Sequence, residues 1–323
     1  LERSGRADTG LEFLEAAREH VEAVGEEKEY MRMLAHLGRA CQRMGEYGQA
    51  RDSYQAALEL KVAKTAHDLR CACLQGLGVV AFSQGDFAAA GDYISRGLRQ
   101  ARKHDLLSRQ AALLSNQATL FVSQAEPEQA MASFRESLRL ARGMGDRSLE
   151  GVLLSNLGSL AAQEGDLEAA KTYFEESYEL ARAGGERLSM AILLHNLGTL
   201  ANDRGDPETA REHFEQALGE ARQMGDRAQA SRILANLGAL HTAQGAYEQA
   251  ELLLKEGLAQ AEAIQHVENR ILLYINLAEL ARFREKPGGA MFYLEQAEAL
   301  AAKTKHQRYI NVMAEMKAEL GSE

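Results

Sequence analysis

The sequence predicts an all-α protein made of one helical hairpin repeated along the chain, and three observations carry that expectation. The first is spacing: the stretch LSNLGSLAAQEGDLEAA at 154–170 recurs every forty residues without insertion or deletion. Its Gly158 has counterparts at Gly38, Gly78, Ala118, Gly198, Gly238 and Ala278, and its Ala170 at Ala50, Ala90, Ala130, Ala210, Ala250 and Ala290. The second is composition, since Ala, Leu, Glu, Arg and Gln dominate while only three prolines and no tryptophan occur, which favours helix nearly throughout. The third is where those prolines fall. Pro127, Pro207 and Pro287 lie eighty residues apart, each at the start of a second helix, where proline loses no intrahelical hydrogen bond. A unit of this size cannot bury its apolar face alone, so neighbours stack into a solenoid.

Residues 9–24 read as an amphipathic helix with Leu11, Leu14, Ala17, Val21 and Val24 at helical spacing. Leu14 and Ala17 are in register with Tyr54 and Ala57 of a later second helix, so the array is expected to begin on half a unit. Gly25 holds the place of Gly145, Gly185 and Gly225, where a helix end calls for positive φ. Each full unit then has two helices. In the fourth, the first helix is expected over 147–163, with Leu149, Val152, Leu153, Leu157 and Leu160 inward and Asp146 as N-cap. Gly165 and Asp166 make the turn, and a second helix over 167–182 turns Ala170, Phe174, Tyr178 and Ala181 inward. Links of two or three residues make successive helices antiparallel neighbours. The glycine inside each first helix costs roughly 1 kcal/mol against alanine, a cost expected to be met by close approach to the facing Ala50 series.

The last unit departs from the pattern. Glu285 replaces the turn glycine, Lys286-Pro287-Gly288 follows, and a helix over 307–320 carries Lys317 where most units have leucine, as a solvated cap would. The expected organisation is a single array: a half-repeat over 1–25, seven forty-residue repeats over 26–306 and a capping helix over 307–323. Because the chain opens on Leu1 rather than methionine, it is expected to be a fragment with a further part upstream.

A small residue after Leu157, then Ala170, the aromatic Phe174 and the small Ser177, with Leu154 early in the first helix, resemble the tetratricopeptide repeat, whose usual unit is 34 residues. The extension, with GDR at 145–147 and 225–227 and GER at 185–187, is similar to the long-repeat subclass of LGN/Pins polarity adaptors, kinesin light chains and bacterial signalling regulators. The resemblance implies a right-handed superhelical solenoid that acts as a non-catalytic interaction scaffold.

Composition and motifs exclude other classes. A net charge of −10 disfavours a nucleic-acid surface, which needs clustered Lys and Arg. No run of eighteen apolar residues offers a membrane span, and LERSGRADTG lacks the regions of a signal peptide. Cys41, Cys71 and Cys73 are too few for a disulfide framework and fit a cytoplasmic protein. GLGVVA at 76–81 imitates a dinucleotide fingerprint, but no strand precedes it. Cys71-Ala-Cys73 has no second ligand pair at zinc spacing, and neither EHVEA nor EHFEQ is a metal-binding HExxH. With no nucleophile elbow or P-loop, no catalytic residue, metal or cofactor is expected.

One series rises above scaffold. Asn116, Asn156, Asn196, Asn236 and Asn276 recur two residues before the small residue, while His36 and Gly76 hold that place in the first two units. Asparagine is a poor helix former, so propensity does not explain it. The tetratricopeptide resemblance implies that these amides face a concave groove and bond the backbone of an extended peptide, each with one acceptor and two donors. A ladder that ties neighbouring helices together fits the same spacing. The other groove positions by analogy are Ser115, Thr119, Ser155, Ser159, His195, Thr199, Asn202, Ala235, Ala239 and Thr242. Charge sits at the ends, on Arg32, Arg39 and Arg43 and on Glu279 with Arg282. The expected partner is therefore a neutral or basic protein or peptide segment, with no nucleic acid, no membrane and the oligomeric state open. A second functional expectation is a sensing arm of a bacterial regulator whose output domain lies upstream.

Overall fold

A computed structural model describes residues 27–304 and 307–320, all but the links in helix. The half-repeat expected over 1–25, with its apolar stripe and Gly25, lies outside the described residues. The chain divides into two compact units. The first, Leu1–Leu160, holds α1 (Glu27–Met44), α2 (Tyr47–Glu59), α3 (His67–Ser83), α4 (Phe87–Lys103), α5 (Leu107–Ser123), α6 (Pro127–Met144) and most of α7 (Arg147–Gln163). The second, Ala161–Glu323, holds α8 (Leu167–Gly184), α9 (Arg187–Asp203), α10 (Pro207–Met224), α11 (Arg227–Ala243), α12 (Tyr247–Ala263), α13 (Val267–Phe283), α14 (Pro287–Thr304) and α15 (Gln307–Leu320).

Within the first unit α1, α3 and α5 open hairpins that α2, α4 and α6 close, and within the second α9, α11 and α13 open hairpins that α10, α12 and α14 close. Hairpin partners pack along their length, and consecutive first helices touch as well: α1 with α3 and α3 with α5 in one unit, α9 with α11 and α11 with α13 in the other. The termini follow from local chemistry. Pro127, Pro207 and Pro287 each open their helix. Asp86, Asp146, Asp166, Asp206 and Asp226 accept from the amide three residues on, at 2.9–3.2 Å, satisfying donors the first turn leaves orphaned. Gly145, Gly185 and Gly225 close α6, α8 and α10 in the left-handed region, at φ 69°, 68° and 66°.

Four turns reach the same left-handed conformation without glycine, at Asp105, Ala125, Gln265 and Glu285. Among the described turns, one does not reach it. After α2 the β-branched Thr65 stays at φ −114°, and a short 3-10 turn, Lys61–Lys64, replaces the last turn of the helix.

Every alanine of the Ala50 series named in the structure, Ala50, Ala90, Ala130, Ala170, Ala210, Ala250 and Ala290, is fully buried. Leu153, Leu157 and Leu160 are buried as expected, but Val152 is 53% exposed. A step of about 100° per residue separates Val152 from Leu153, and the stripe through Leu149, Leu153 and Leu157 already claims the packed face. The glycine of the first helix also has a different partner from the one expected. A Cβ at Gly38, Gly78, Gly198 or Gly238 would lie 2.4–2.9 Å from Tyr54, Ile94, Phe214 or Leu254, the large residue four beyond the alanine. The glycine makes room for that side chain. The alanine lets the backbones close, as at Gly78, where Ala90 O would be 3.6 Å away.

At the C-terminal end, Lys317 of α15 donates to Glu298 of α14 at 2.6 Å, so a salt bridge stands where other units bury leucine.

Candidate functional site

The asparagine series lies along the first helices, half-buried at all five positions. In the second unit two of its members reach back to the preceding first helix. Asn276 Nδ2 on α13 donates to the backbone oxygen of Ala235 on α11 at 2.9 Å, and Asn236 Nδ2 on α11 lies 2.8 Å from Nε2 of His195 on α9. Asn269 adds a second tie, from its Nδ2 to Ala228 O at 2.7 Å and Ser231 Oγ at 2.6 Å. In the first unit Asn116 Nδ2 is buried with no partner. The ladder positions thus spend donors between helices at α11 and α13, which leaves the amide oxygens of Asn236 and Asn276 as acceptors.

His195 is buried, at 8% exposure. Burial, reinforced by the nearby Arg232 charge, pushes its pKa down to about 4. The ring is therefore neutral at pH 7, with Nε2 engaged by the Asn236 amide and Nδ1 buried without a partner. Its ring tilts against Phe214 at 5.7 Å between centroids.

Beside this pair, Thr199, Asn202, Phe214, Asn236, Ala239, Leu240 and Ala243 line a cavity of about 220 Å³, open to solvent on one side, between α9, α10 and α11. Thr199 donates to His195 O at 3.1 Å, within its own helix. Thr119 and Ser159 do the same to Ser115 O and Ser155 O, at 3.1 and 3.0 Å. These hydroxyls face outward as acceptors only.

Of the expected groove residues, the structure brings Thr199, Asn202 and Asn236 together around one cavity, with His195 behind them. Ser115 and Ser155 are half-buried, Thr119, Ser159 and Ala239 exposed, and Ala235 and Thr242 buried. Sequence reasoning missed Phe214, Leu240 and Ala243; the signal for Phe214 was its register with Tyr54, one unit of forty at a time. It also missed Leu188, which stands 51% exposed at the start of α9. Of the end charges, Arg32 pairs with Glu29 at 2.6 Å and Arg282 with Glu279 at 3.0 Å.

Other chemistry is not assembled. Cys41, Cys71 and Cys73 are buried and form no disulfide, and burial pushes the thiols of Cys71 and Cys73 up to about 11 and about 12, far from thiolate reactivity. Among the described residues no group of three His, Cys, Asp or Glu could hold a metal, and no helix is long and apolar enough to cross a membrane.

A tandem of such hairpins with this small-residue register defines a helical-repeat scaffold. A profile of the tetratricopeptide repeat matches residues 1–61, 149–223 and 189–263, together more than half of the chain. The chain belongs to the tetratricopeptide repeat family. Among curated protein sequences none matches it. Solved structures share the fold. A signal-transduction ATPase with numerous domains from Pyrococcus horikoshii, carrying a tetratricopeptide repeat sensor, aligns at TM-score 0.69 and 18% identity over 95% of this chain and 50% of its own. This chain thus spans half the length of that protein. The apo form of RapI aligns at TM-score 0.68 and 14% identity, over 85% of this chain and 98% of its own. A Rap protein complexed with competence and sporulation factor aligns at 0.57 and 15%, over 99% of both chains.

Proposed function

We propose that the protein is a non-catalytic interaction scaffold that receives an extended peptide segment across its first helices. The observation that carries this reading is the half-buried asparagine series, which places an amide at the same point of successive first helices. In the second unit the amide oxygens of Asn236 and Asn276 remain to accept from a peptide N–H, while their nitrogens hold the helices in register. Neighbouring helices lie about 8–10 Å apart and an extended chain advances about 3.3–3.6 Å per residue. Asn196, Asn236 and Asn276 thus meet roughly six ligand residues. The formal charge of −10 favours a neutral or basic segment, and the three buried thiols suit a cytoplasmic setting.

Selection from a phage-displayed random dodecapeptide library tests this. The wild-type protein is expected to enrich peptides that a variant with Asn156, Asn196 and Asn236 all changed to Ala binds at least tenfold more weakly, at about 1 kcal/mol per hydrogen bond lost. A triple variant that keeps the selected peptides but melts early would make the series purely structural.

A second reading is favoured by one observation, the likeness to a signal-transduction ATPase whose tetratricopeptide part is a sensor and of which this chain spans half. There the same face would serve a regulatory arm with its output domain upstream. A helix-turn-helix or nucleotide-binding motif in the sequence preceding Leu1 would support it, and a chain starting near Leu1 would remove it.

A further inference from the structure

A tyrosine in the first unit shows what the cavity in the second is shaped to hold. Tyr54 on α2 and Phe214 on α10 occupy the same register, and each ring lies against the glycine of the preceding helix, Gly38 and Gly198. In the first unit the ring continues under Gly76, where a Cβ would stand 2.3 Å from Cζ and 2.7 Å from Oη of Tyr54. The hydroxyl donates to Gln42 Oε1 at 3.2 Å. The register counterparts of Gly76 and Gln42 are Asn236 and Asn202, and both line the cavity beside Phe214. Where the first unit seats the hydroxyl-bearing end of its own ring, the second unit sets Asn236, and the cavity opens beside it.

The lining sets the chemistry of an occupant. Phe214, Ala239, Leu240 and Ala243 make an apolar floor and wall, and no charged residue borders the space. Thr199 has spent its hydrogen on His195 O and presents an acceptor, and Asn236, whose Nδ2 is engaged with His195, keeps its amide oxygen as a second acceptor. An apolar cavity of about 150 Å³ holds a benzene ring; at about 220 Å³ this one has room for a ring with further atoms. We propose that the cavity receives one aromatic side chain bearing a hydrogen-bond donor, tyrosine or tryptophan, from the bound segment. The inference rests on the peptide reading only in how the side chain arrives.

The chain contains no tryptophan, so indole emission belongs wholly to an added probe. Titration of the protein into N-acetyl-L-tryptophanamide is expected to give a saturable blue shift. N-acetyl-L-tyrosinamide should compete, and N-acetyl-L-phenylalaninamide should compete about fivefold less well, the loss of one hydrogen bond. Ala239→Leu and Ala243→Leu, both at exposed positions of α11, should each abolish the shift without altering thermal unfolding, and Thr199→Val should narrow the tyrosine-over-phenylalanine preference. Absence of a saturable shift, its retention in both cavity-filling variants, or equal competition by the phenylalanine amide would overturn the proposal. A protein that takes up the indole but selects no peptides keeps this site and loses the peptide reading. One that selects peptides through its asparagines and ignores the indole does the reverse.

Discussion

Two trios at the same register of the repeat are built differently, and the difference shows how one fold alternates between sealing and opening its surface. Near the start, Tyr54 lies between Gly38 and Gly76, and its hydroxyl is held by Gln42. In the second unit Phe214 lies against Gly198, Asn236 stands where Gly76 does, and a cavity opens beside them. At this register the chain carries Tyr54, Ile94, Phe134, Phe174, Phe214, Leu254 and Leu294. The asparagine is missing after Tyr54 and present after the five that follow it and precede the last. A ring that ends in a hydroxyl takes the space a ladder side chain needs; one that ends in carbon leaves it.

The largest effect that would sharpen the comparison is electrostatic and confined to the second unit. His195 is neutral when folded, with its pKa pushed down to about 4 by burial and then by Arg232, while its counterpart near the start is Ala35. The unfolded chain takes up the proton near pH 6.5. Stability is therefore fully present above pH 6.5 and falls as pH drops towards 4, by about 3 kcal/mol in all. Hydrogen exchange across that range should show α9 and α11 losing protection, and His195→Gln should flatten the dependence. Loss centred on α1–α3 instead would break the comparison.

A smaller effect tests the packing common to both trios. Ala170→Leu places a large side chain at a site with no exposure and should cost about 1–3 kcal/mol by overpacking, read from urea unfolding; an unchanged midpoint would remove the close-approach argument. The smallest is local. Asp226 caps α11 through the Gln229 amide at 3.0 Å, so Asp226→Ala should lower stability by about 1 kcal/mol, an effect that should raise exchange in the first turn of α11, the helix that carries Asn236.

Most of the fold was legible because the forty-residue period fixes register, and register fixes which face is packed. The bounds expected for α7 and α15 match the structure, and so do the three proline starts. What was not legible arose where one position has two candidate uses. Val152 is as apolar as its buried neighbour, and only the helical step decides which of them packs. The left-handed turns at Asp105, Ala125, Gln265 and Glu285 carry no glycine to announce them. For the candidate site, the period marked out the asparagines but could not say that Asn236 would bond a side chain and Asn276 a carbonyl, since that depends on whether His195 or Ala235 stands forty-one residues earlier. Gly76 was visible as a break in the series; its cause, the Tyr54 ring, needed the structure.

The most direct test of that cause is a double-mutant cycle in urea. Gly76→Asn alone should cost about 1–3 kcal/mol, because a Cβ there would meet the Tyr54 ring at 2.3 Å. Tyr54→Leu recreates the side chain of Leu254, which coexists with Gly238 and Asn276 in the second unit. In that background Gly76→Asn should cost at least 1 kcal/mol less, a coupling in the range measured for residues in contact. Costs that add to within about 0.5 kcal/mol would contradict the claim that the ring decides what stands at the ladder position.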